Sequence, residues 1–271
     1  MKPIMRMTFT GRIWRQRELI VRLAQREILA RYRGSLVGWG WTLLNPLLML
    51  AIYTFVFSTI FKARWESSQD LGSAGFALNI FAGMVVFGLF AECANKAPAL
   101  ITSNSNYVTK VRFPLEALGC STILSALFHA STSLVILMIF RIIVIGSFPW
   151  SSLLLPIVWL PYLLLTLAAT WLVSAMGVYL RDLNQFMVVA TSALTFMSAV
   201  FYPISALPKA LIPIFRLNPV ANWVEQTRSL VILDQLPSAL GLTIEIVAAA
   251  LICELCLQLF EKASRGFADV L

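Results

Sequence analysis

The sequence predicts an all-α integral membrane protein with six transmembrane helices, an N-terminal amphipathic interface helix and short periplasmic re-entrant helices. Of its 271 residues, 59% are hydrophobic and only 13% are charged, whereas a soluble domain carries about 25% charged residues. Uncharged apolar runs long enough to cross roughly 30 Å of hydrocarbon recur along the chain. Basic residues concentrate before the first run, as they do on the cytoplasmic side of membrane proteins. The net charge of +8 therefore reflects topology and does not indicate nucleic-acid binding.

Residues 1–38 form a basic cytoplasmic region. The apolar run after Lys2 is short and interrupted by Arg6, so no cleavable signal peptide is predicted. Residues 12–33 are typical of an amphipathic helix with a basic face and an opposite apolar face. The two faces hold Arg15, Arg22, Arg26 and Arg33, and Ile13, Ile20, Ala24 and Ile28. The pairs Glu18–Arg22 and Glu27–Arg31 have the favourable i,i+4 order. The helix either rests on anionic lipid or docks a cytoplasmic partner, and the two are compatible.

The first predicted span covers residues 39–61. Two cations, Arg31 and Arg33, precede it, and tryptophans stand at its edge, which is the pattern of a helix entering from the cytoplasm. Glycines at 34, 38 and 40 predict a turn between the surface helix and this span. Pro46 lies inside the span and removes one hydrogen bond of the helix, so we expect a kink there.

Five more spans are predicted near 76–93, 114–140, 153–178, 186–205 and 239–260. Six spans place both termini on one side, and the excess of Lys and Arg assigns that side, with the tail 261–271, to the cytoplasm. The inner connection predicts a short helix at 94–103, a polar turn through 103–106 and Pro114 in the first turn of the next span. The outer connection is apolar but broken by prolines, which favours re-entrant or interfacial helices. Within it, Asn218 and Pro219 form a typical helix start.

Polar and aromatic side chains in the spans have two interpretations. Hydroxyl stripes on the third, fourth and fifth spans either pack helices together or line a polar pathway. They are Thr122, Ser125 and His129; Thr166, Thr170 and Ser174; and Thr191, Thr195, Ser198 and Tyr202. Tyr53, Phe57, Phe201 and Tyr202 either face lipid or present rings to a sugar. Glu92 and Glu116 are expected in solvated interfacial positions, and Glu245 and Glu254 point to opposite faces.

Catalytic and cofactor signatures are absent from the sequence. His129 is the single histidine, and no GxxxxGK[ST] stretch is present to hold a nucleotide phosphate. The four cysteines lack metal-ligand spacing and are expected to be free and buried. No metal or other cofactor is therefore predicted in this chain, and a separate subunit is expected to supply any energy for transport.

Blocks along nearly the whole chain resemble the membrane subunit of ABC exporters for O-antigen and related lipid-linked polysaccharides. The most specific block is QREILARYRGSLVGWGWTLLNPLLMLAIYTFVF at 25–57. The others are NYVTKVRFPLEAL at 106–118, GVYLRDLNQ at 177–185, FYPISALP at 201–208, the NP pair at 218–219 and FADVL at 267–271. The resemblance implies the exporter type-2 ABC permease architecture: two copies forming one channel in the bacterial inner membrane, with two ATPase subunits below that bind ATP and magnesium.

The resemblance also implies roles for individual residues. The surface helix and the 94–103 helix are expected to contact the ATPase, through Arg15, Glu18, Lys96, Leu100 and Asn104. The basic residues Arg22, Arg26, Arg31 and Arg33 are expected near lipid headgroups or the diphosphate of an undecaprenyl-linked glycan, because guanidinium suits bidentate phosphate contact. The expected channel lining is Tyr53, Phe57, Thr191, Thr195, Ser198 and Tyr202. The region 204–235 is expected to form a periplasmic gate that includes Pro208, Pro213, Asn218 and Pro219.

Other functions remain open at this stage. A permease of the same architecture for a drug, a small lipid or a teichoic acid is the main alternative. A membrane transferase acting on lipid-linked sugar needs a carboxylate or histidine cluster at the outer surface, and the outer acids Glu66, Asp70, Glu225 and Asp234 show no convincing pairing. An ion channel lacks support because no filter-like repeat is present.

Overall fold

The computed structural model describes residues 9–56, 72–109 and 113–271, which are helical and contain no strand. Ten α-helices lie within these ranges, joined by short 3₁₀ turns. They are α1 (Phe9–Tyr32), α2 (Trp41–Phe55), α3 (Gly72–Lys96), α4 (Ser105–Thr109), α5 (Glu116–Ile145), α6 (Leu155–Tyr179), α7 (Leu183–Met197), α8 (Ile212–Leu217), α9 (Pro219–Val231) and α10 (Ala239–Ser264).

Four helical segments of the described chain are long and apolar enough to cross a membrane. They are Ala74–Ala99, Glu116–Ile145, Trp150–Tyr179 and Ala239–Asp269, and they correspond to the predicted second, third, fourth and sixth spans. The helix α2 reaches the edge of the described residues, and 57–61 of the predicted first span lie outside them. The full count of six spans stays a prediction.

The predicted fifth span is shorter in the structure than its prediction of 186–205. The helix α7 has 15 residues, or about 22 Å at 1.5 Å per residue, which is less than the roughly 30 Å of a membrane core. It ends at Met197 because Ala199 adopts a left-handed conformation with φ of 52°. Polar side chains from α9 and its N-cap then take the carbonyl groups at this end, as described below.

Two glycines make the corner between α1 and α2. Gly34 has φ of 80° and Gly38 has φ of 53°, values that favour glycine because it lacks a Cβ. A 3₁₀ turn at Gly38–Gly40 leads into α2. This confirms the predicted turn. Pro46 lies within α2, and its kink stays a prediction.

The connection after α3 is not the single short helix predicted at 94–103. Instead α3 continues to Lys96, and 3₁₀ turns follow at Ala97–Ala99 and Thr102–Asn104. Pro98 lacks an N–H group and cannot continue an α-helix. The turn lies directly against α6, since a Cβ on Gly177 would be only 2.1 Å from the Pro98 carbonyl oxygen. The next long helix begins at Glu116, so Pro114 precedes its first turn.

The core lies between α3, α5, α6 and α10. Large side chains of α6 cross-link it through their polar atoms: Tyr162 donates to the Val86 carbonyl at 2.5 Å and Trp171 Nε1 donates to the Glu116 carbonyl at 3.1 Å. All four cysteines are free and buried, as predicted. We call the end of the bundle where α1 packs the α1 end, and the opposite end, where α9 packs, the α9 end.

Candidate functional site

The amphipathic character of α1 is confirmed. Its apolar face is buried, with Ala24 only 2% exposed, and it packs against α5. Gln16 Nε2 donates to Glu116 Oε1 at 2.9 Å and so joins the two helices. The arginines at 15, 22, 26 and 33 are exposed. Because protein covers the apolar face, lipid is not needed to bury it, and the basic face is left accessible.

An ion-pair network fastens α1 to the end of α3. Lys96 Nζ donates to Glu27 Oε1 at 2.7 Å and to Glu92 Oε1 at 2.8 Å, and Arg31 Nη1 donates to Glu92 Oε1 at 2.7 Å. The predicted pairing of Glu27 with Arg31 is therefore wrong, because each pairs with α3. The expectation that Glu92 is solvated is also wrong, since its side chain is only 17% exposed. The network gives α1 a fixed position on the bundle.

His129 on α5 lies beside the end of α1. Its Nδ1 is 3.2 Å from the Tyr32 hydroxyl oxygen, and the two rings meet edge to face. Its Nε2 is buried without a hydrogen-bond partner. The side chain thus joins α5 to the corner after α1.

Several of the predicted coupling residues come together at the α1 end. Lys96, Leu100 and Asn104 line a cavity of about 590 Å³ with Arg26 and Glu27. Arg15 and Glu18 lie elsewhere, on the exposed part of α1 towards its N-terminus. A separate shallow groove of about 430 Å³ runs along α1 and is lined by Arg22, Gln25, Arg26, Leu29, Ala30 and Arg33. The surface helix and the connection after α3 therefore share one surface.

The hydroxyl stripes mostly bond within their own helices. Thr191 is buried, and its hydroxyl lies 3.0 Å from Asn95 Oδ1 and 2.8 Å from the Met187 carbonyl. Ser198 is fully buried and accepts from Asn218 Nδ2 at 3.1 Å. These bonds favour helix packing by Thr191 and Ser198, and channel lining by the two residues stays a prediction. Four further hydroxyl groups donate to a backbone carbonyl of their own helix, those of Thr122, Thr170, Ser174 and Thr195.

The aromatic candidates divide into different environments. Tyr53 lines a cavity of about 220 Å³ between α2, α3 and α5. Tyr202 is half-buried and its hydroxyl donates to the Phe196 carbonyl, which ties it to the end of α7. Phe57 lies outside the described residues. Channel lining by Tyr53, Phe57, Thr195 and Tyr202 stays a prediction.

The predicted helix start at Asn218 and Pro219 is confirmed. The Asn218 side chain accepts from the Val220 amide at 3.0 Å, and Pro219 occupies the first turn of α9. Asn218 Nδ2 also donates to the Met197 carbonyl at 3.1 Å. One residue thus caps the start of α9 and the end of α7. Pro208 and Pro213 are exposed on the segment between them.

Arg228 is the main connection at the α9 end. It is 2% exposed and donates to the Asn79, Ala199 and Val200 carbonyls at 2.9, 2.9 and 2.6 Å. It also pairs with Glu225 at 3.0 Å. Burial lowers the pKa of Arg228 to about 10, with Glu225 opposing the shift, so the guanidinium stays charged at neutral pH. A cation at the end of α7 also complements the helix dipole.

Arg228 lies in the outer connection, which the sequence predicts to form short re-entrant or interfacial helices, and its burial was not predicted. The signal that could have found it is its position on the apolar stripe of α9, which contains Val220, Val224, Thr227 and Val231. Gly83 on α3 makes room for it, because a Cβ there would lie 2.8 Å from Arg228 Nη2. A different contact holds the chain just after α9, where the Ser151 backbone N–H donates to Asp234 Oδ1 at 2.9 Å. Hydrogen bonding from Ser151 lowers the pKa of Asp234.

Comparison with known proteins assigns this chain to a family. Residues 18–232 match the ABC-2 type transporter family. The chain belongs to that family. This ABC-2 permease is accordingly a multi-pass membrane protein, and members of the family generally pair with a cytoplasmic ATPase subunit.

Relatives of this ABC-2 permease are similar to it over four fifths or more of their length. The O-antigen export system permease protein RfbA of Myxococcus xanthus is 28% identical, covering 95% of this chain and 96% of the relative. The protein of the same name from Klebsiella pneumoniae is 22% identical, with 94% and 95% covered. The polysialic acid transport protein KpsM of Escherichia coli is 22% identical, with 80% and 82% covered.

Proposed function

We propose that this chain is the membrane-spanning subunit of an ATP-driven exporter that moves an O-antigen-like polysaccharide, linked to undecaprenyl diphosphate, from the cytoplasm to the periplasm. The observation that carries the proposal is end-to-end similarity to two O-antigen export permeases. The polysialic acid transport protein among the relatives favours a capsular polysaccharide as the second candidate substrate. The chain itself acts as a transport subunit and performs no chemical step.

The α1 end is the proposed contact with the ATPase, which binds ATP and magnesium. The fixed position of α1 supports this role, because Glu27, Lys96, Glu92 and Arg31 link it to α3. A push on α1 or on the Ala97–Ala99 turn would therefore reach α3, and through Gly177 it would reach α6. Arg15, Glu18, Leu100 and Asn104 remain the proposed contact residues.

The groove of Arg22, Arg26 and Arg33 is the proposed contact for lipid phosphate or for the diphosphate of the carrier. Three guanidinium groups on one exposed face suit bidentate phosphate binding. Arg31 is the weaker candidate, because Glu92 already holds one of its nitrogens. Replacing Arg22 and Arg33 with glutamine is expected to reduce export while assembly is retained. Undiminished export by the double variant would contradict this role.

Two copies of the chain are proposed to form one channel. The helices α2 and α7 keep large apolar side chains exposed in the single chain, and the second copy is proposed to cover part of these surfaces while lipid covers the rest. These side chains include Leu47, Phe55, Phe186, Val189 and Phe196. Both termini are proposed to lie in the cytoplasm, which the concentration of Lys and Arg in the N-terminal region supports, and the proposed membrane is the bacterial inner membrane.

Deletion of the gene in its native host tests the proposal. We expect loss of surface polysaccharide and accumulation of lipid-linked glycan on the cytoplasmic side, with both reversed by the wild-type gene. Unchanged surface polysaccharide would overturn the proposed function. Loss of a drug-resistance phenotype with normal glycan would instead support the drug-permease alternative.

A further inference from the structure

A large cleft lies at the α9 end. It has a volume of about 890 Å³ and is lined by the segment after α7, by α8 and α9, and by the start of α10. This volume is within the range of ligand sites, about 300–1,000 Å³. We call it the α9 cleft. Its polar lining includes Arg216, Asn222, Glu225, Gln226 and Glu245.

Gln226 orients Glu245 at the α9 cleft. Its Nε2 donates to both carboxylate oxygens of Glu245, at 2.9 and 3.0 Å. This bond fixes the orientation of the amide and leaves Oε1 buried with no partner. A buried acceptor without a donor carries a desolvation cost, so the pair is held in place at a cost in stability.

Glu245 also needs an explanation, because a carboxylate on an apolar membrane helix is costly unless it faces protein or a water-filled cavity. It lies near the start of α10 and faces the α9 cleft. The cleft therefore accounts for the acid that the sequence leaves unexplained.

The charges around the α9 cleft balance. Arg216 and Arg228 supply two positive charges, and Glu225 and Glu245 supply two negative charges. In the described part of the chain, no group of three or more His, Cys, Asp or Glu side chains is placed to hold a metal. The balance favours neither an anion nor a cation. The carboxylates and amide oxygens of the lining accept hydrogen bonds, and its amide nitrogens and guanidinium donate them. Such a lining suits a ligand whose groups both donate and accept hydrogen bonds, as hydroxyl groups do.

We propose that the α9 cleft binds neutral, hydroxyl-rich saccharide units of the exported glycan. Sugar hydroxyls donate to Glu245 and accept from Arg216 and Asn222, while the apolar lining at Pro203 and Leu233 contacts the C–H faces of the rings. This inference rests on the proposed function and adds to it a contact for the glycan at the end of the bundle opposite α1.

Photo-cross-linking in the native host tests the inference. A photoreactive benzoylphenylalanine replaces Leu236, which is 68% exposed and lines the cleft. The same residue in place of Leu240, which is 75% exposed outside the lining, is the positional control. Adducts of the full chain are detected with antiserum against the host polysaccharide and with a periodate-based glycan stain. We expect a glycan adduct at position 236 and none at 240.

Two variants and a control define the contact. Gln226→Met removes the amide, and Ser229→Leu fills the cleft while it keeps the Gln226–Glu245 bond. Gln226→Met leaves Glu245 without the amide that orients it and is expected to reduce the adduct at 236 by about tenfold, the usual effect of losing a hydrogen bond in a charged set. Ser229→Leu is expected to reduce the adduct at least as much, because its side chain occupies the space of the saccharide. Gln258→Met on α10 removes a similar amide, which donates to Glu254 at 3.1 Å, and is expected to leave the adduct unchanged.

The outcomes separate this inference from the proposed function. Export that continues without an adduct at 236, or with an adduct that Ser229→Leu leaves unchanged, overturns the saccharide site and leaves the proposed function intact. Cross-linking only to lipid, to this chain or to a second copy also overturns the site. Surface polysaccharide that is unaffected by gene deletion overturns both.

Discussion

Replacing Arg228 with methionine tests whether one buried side chain holds the α9 end together. The change removes the guanidinium that donates to the Asn79, Ala199 and Val200 carbonyls. The Ala199 and Val200 carbonyls lie beyond the end of α7, and an unsatisfied buried acceptor costs about 1–3 kcal/mol, so these two set a range of about 2–6 kcal/mol. Breaking a buried charge pair costs about 3–5 kcal/mol. We expect the free energy of unfolding to fall by about this amount, because Glu225 remains partly exposed and water can enter.

The assay heats detergent-solubilised protein at a fixed rate and follows the remaining folded fraction by size-exclusion fluorescence. At about 2–4 °C per kcal/mol for a chain of this size, Arg228→Met is expected to lower the apparent Tm by about 6–20 °C. Arg228→Lys should recover little of the lost Tm, because the compact ammonium group of lysine cannot reproduce the planar set of donors of a guanidinium. The exposed Arg216 provides the control, and Arg216→Met is expected to change the Tm by about 2 °C or less. Equal Tm values for Arg228→Met and Arg216→Met would refute the reasoning.

Three further substitutions test other close contacts. Gly177→Ala places a Cβ 2.1 Å from the Pro98 carbonyl oxygen, so we expect about 1–3 kcal/mol of destabilisation in the same heating assay. Gly88→Ala, with nothing within 4 Å, should be neutral or slightly stabilising, and equal effects of the two would refute the close approach. Gly34→Ala, at φ of 80°, should cost about 1–2 kcal/mol, and Gly34→Asn should cost less; a harmless alanine would contradict the left-handed turn. Glu92→Gln should destabilise by about 1–3 kcal/mol, and its combination with Arg31→Gln should be less than additive; strict additivity would argue against the ion pair.

The sequence predicted correctly those parts of the fold that are determined by residues close together in the chain. The faces of α1, the glycine corner before α2 and the start of α9 at Asn218 all depend on residues within a few positions of one another. Each signal has a direct physical cause, namely apolar periodicity, positive φ or a side-chain cap. Each is present in the structure.

The features that sequence reasoning missed depend on distant contacts. Arg228 bonds to the carbonyl of Asn79, which is 149 positions away, and Arg31 pairs with Glu92, which is 61 positions away. Distant residues also stabilise the left-handed turn that ends α7, because Asn218 donates to the Met197 carbonyl and Arg228 donates to the Ala199 carbonyl just beyond the helix. A charged residue in an apolar pattern signals such a contact, but a single sequence does not give its partner.

The candidate sites show the same division. The sequence placed basic residues along α1, and the structure brings three of them to one groove. Thr191 and Ser198 allowed helix packing or channel lining, with packing favoured, and their burial in the single chain agrees with packing. The α9 cleft was not predicted, because it is formed by four segments that meet only in the folded chain.

Reconstituted transport tests the central claim most directly. Purified chain and its partner ATPase are incorporated in proteoliposomes that hold the lipid-linked glycan of the host in the outer leaflet, with the ATPase facing outward. A glycosidase added outside then reports how much glycan has become protected. The account predicts protection that requires both ATP and this chain and is abolished by a hydrolysis-deficient ATPase. Glycan that stays fully accessible in the presence of ATP and an active ATPase would contradict it.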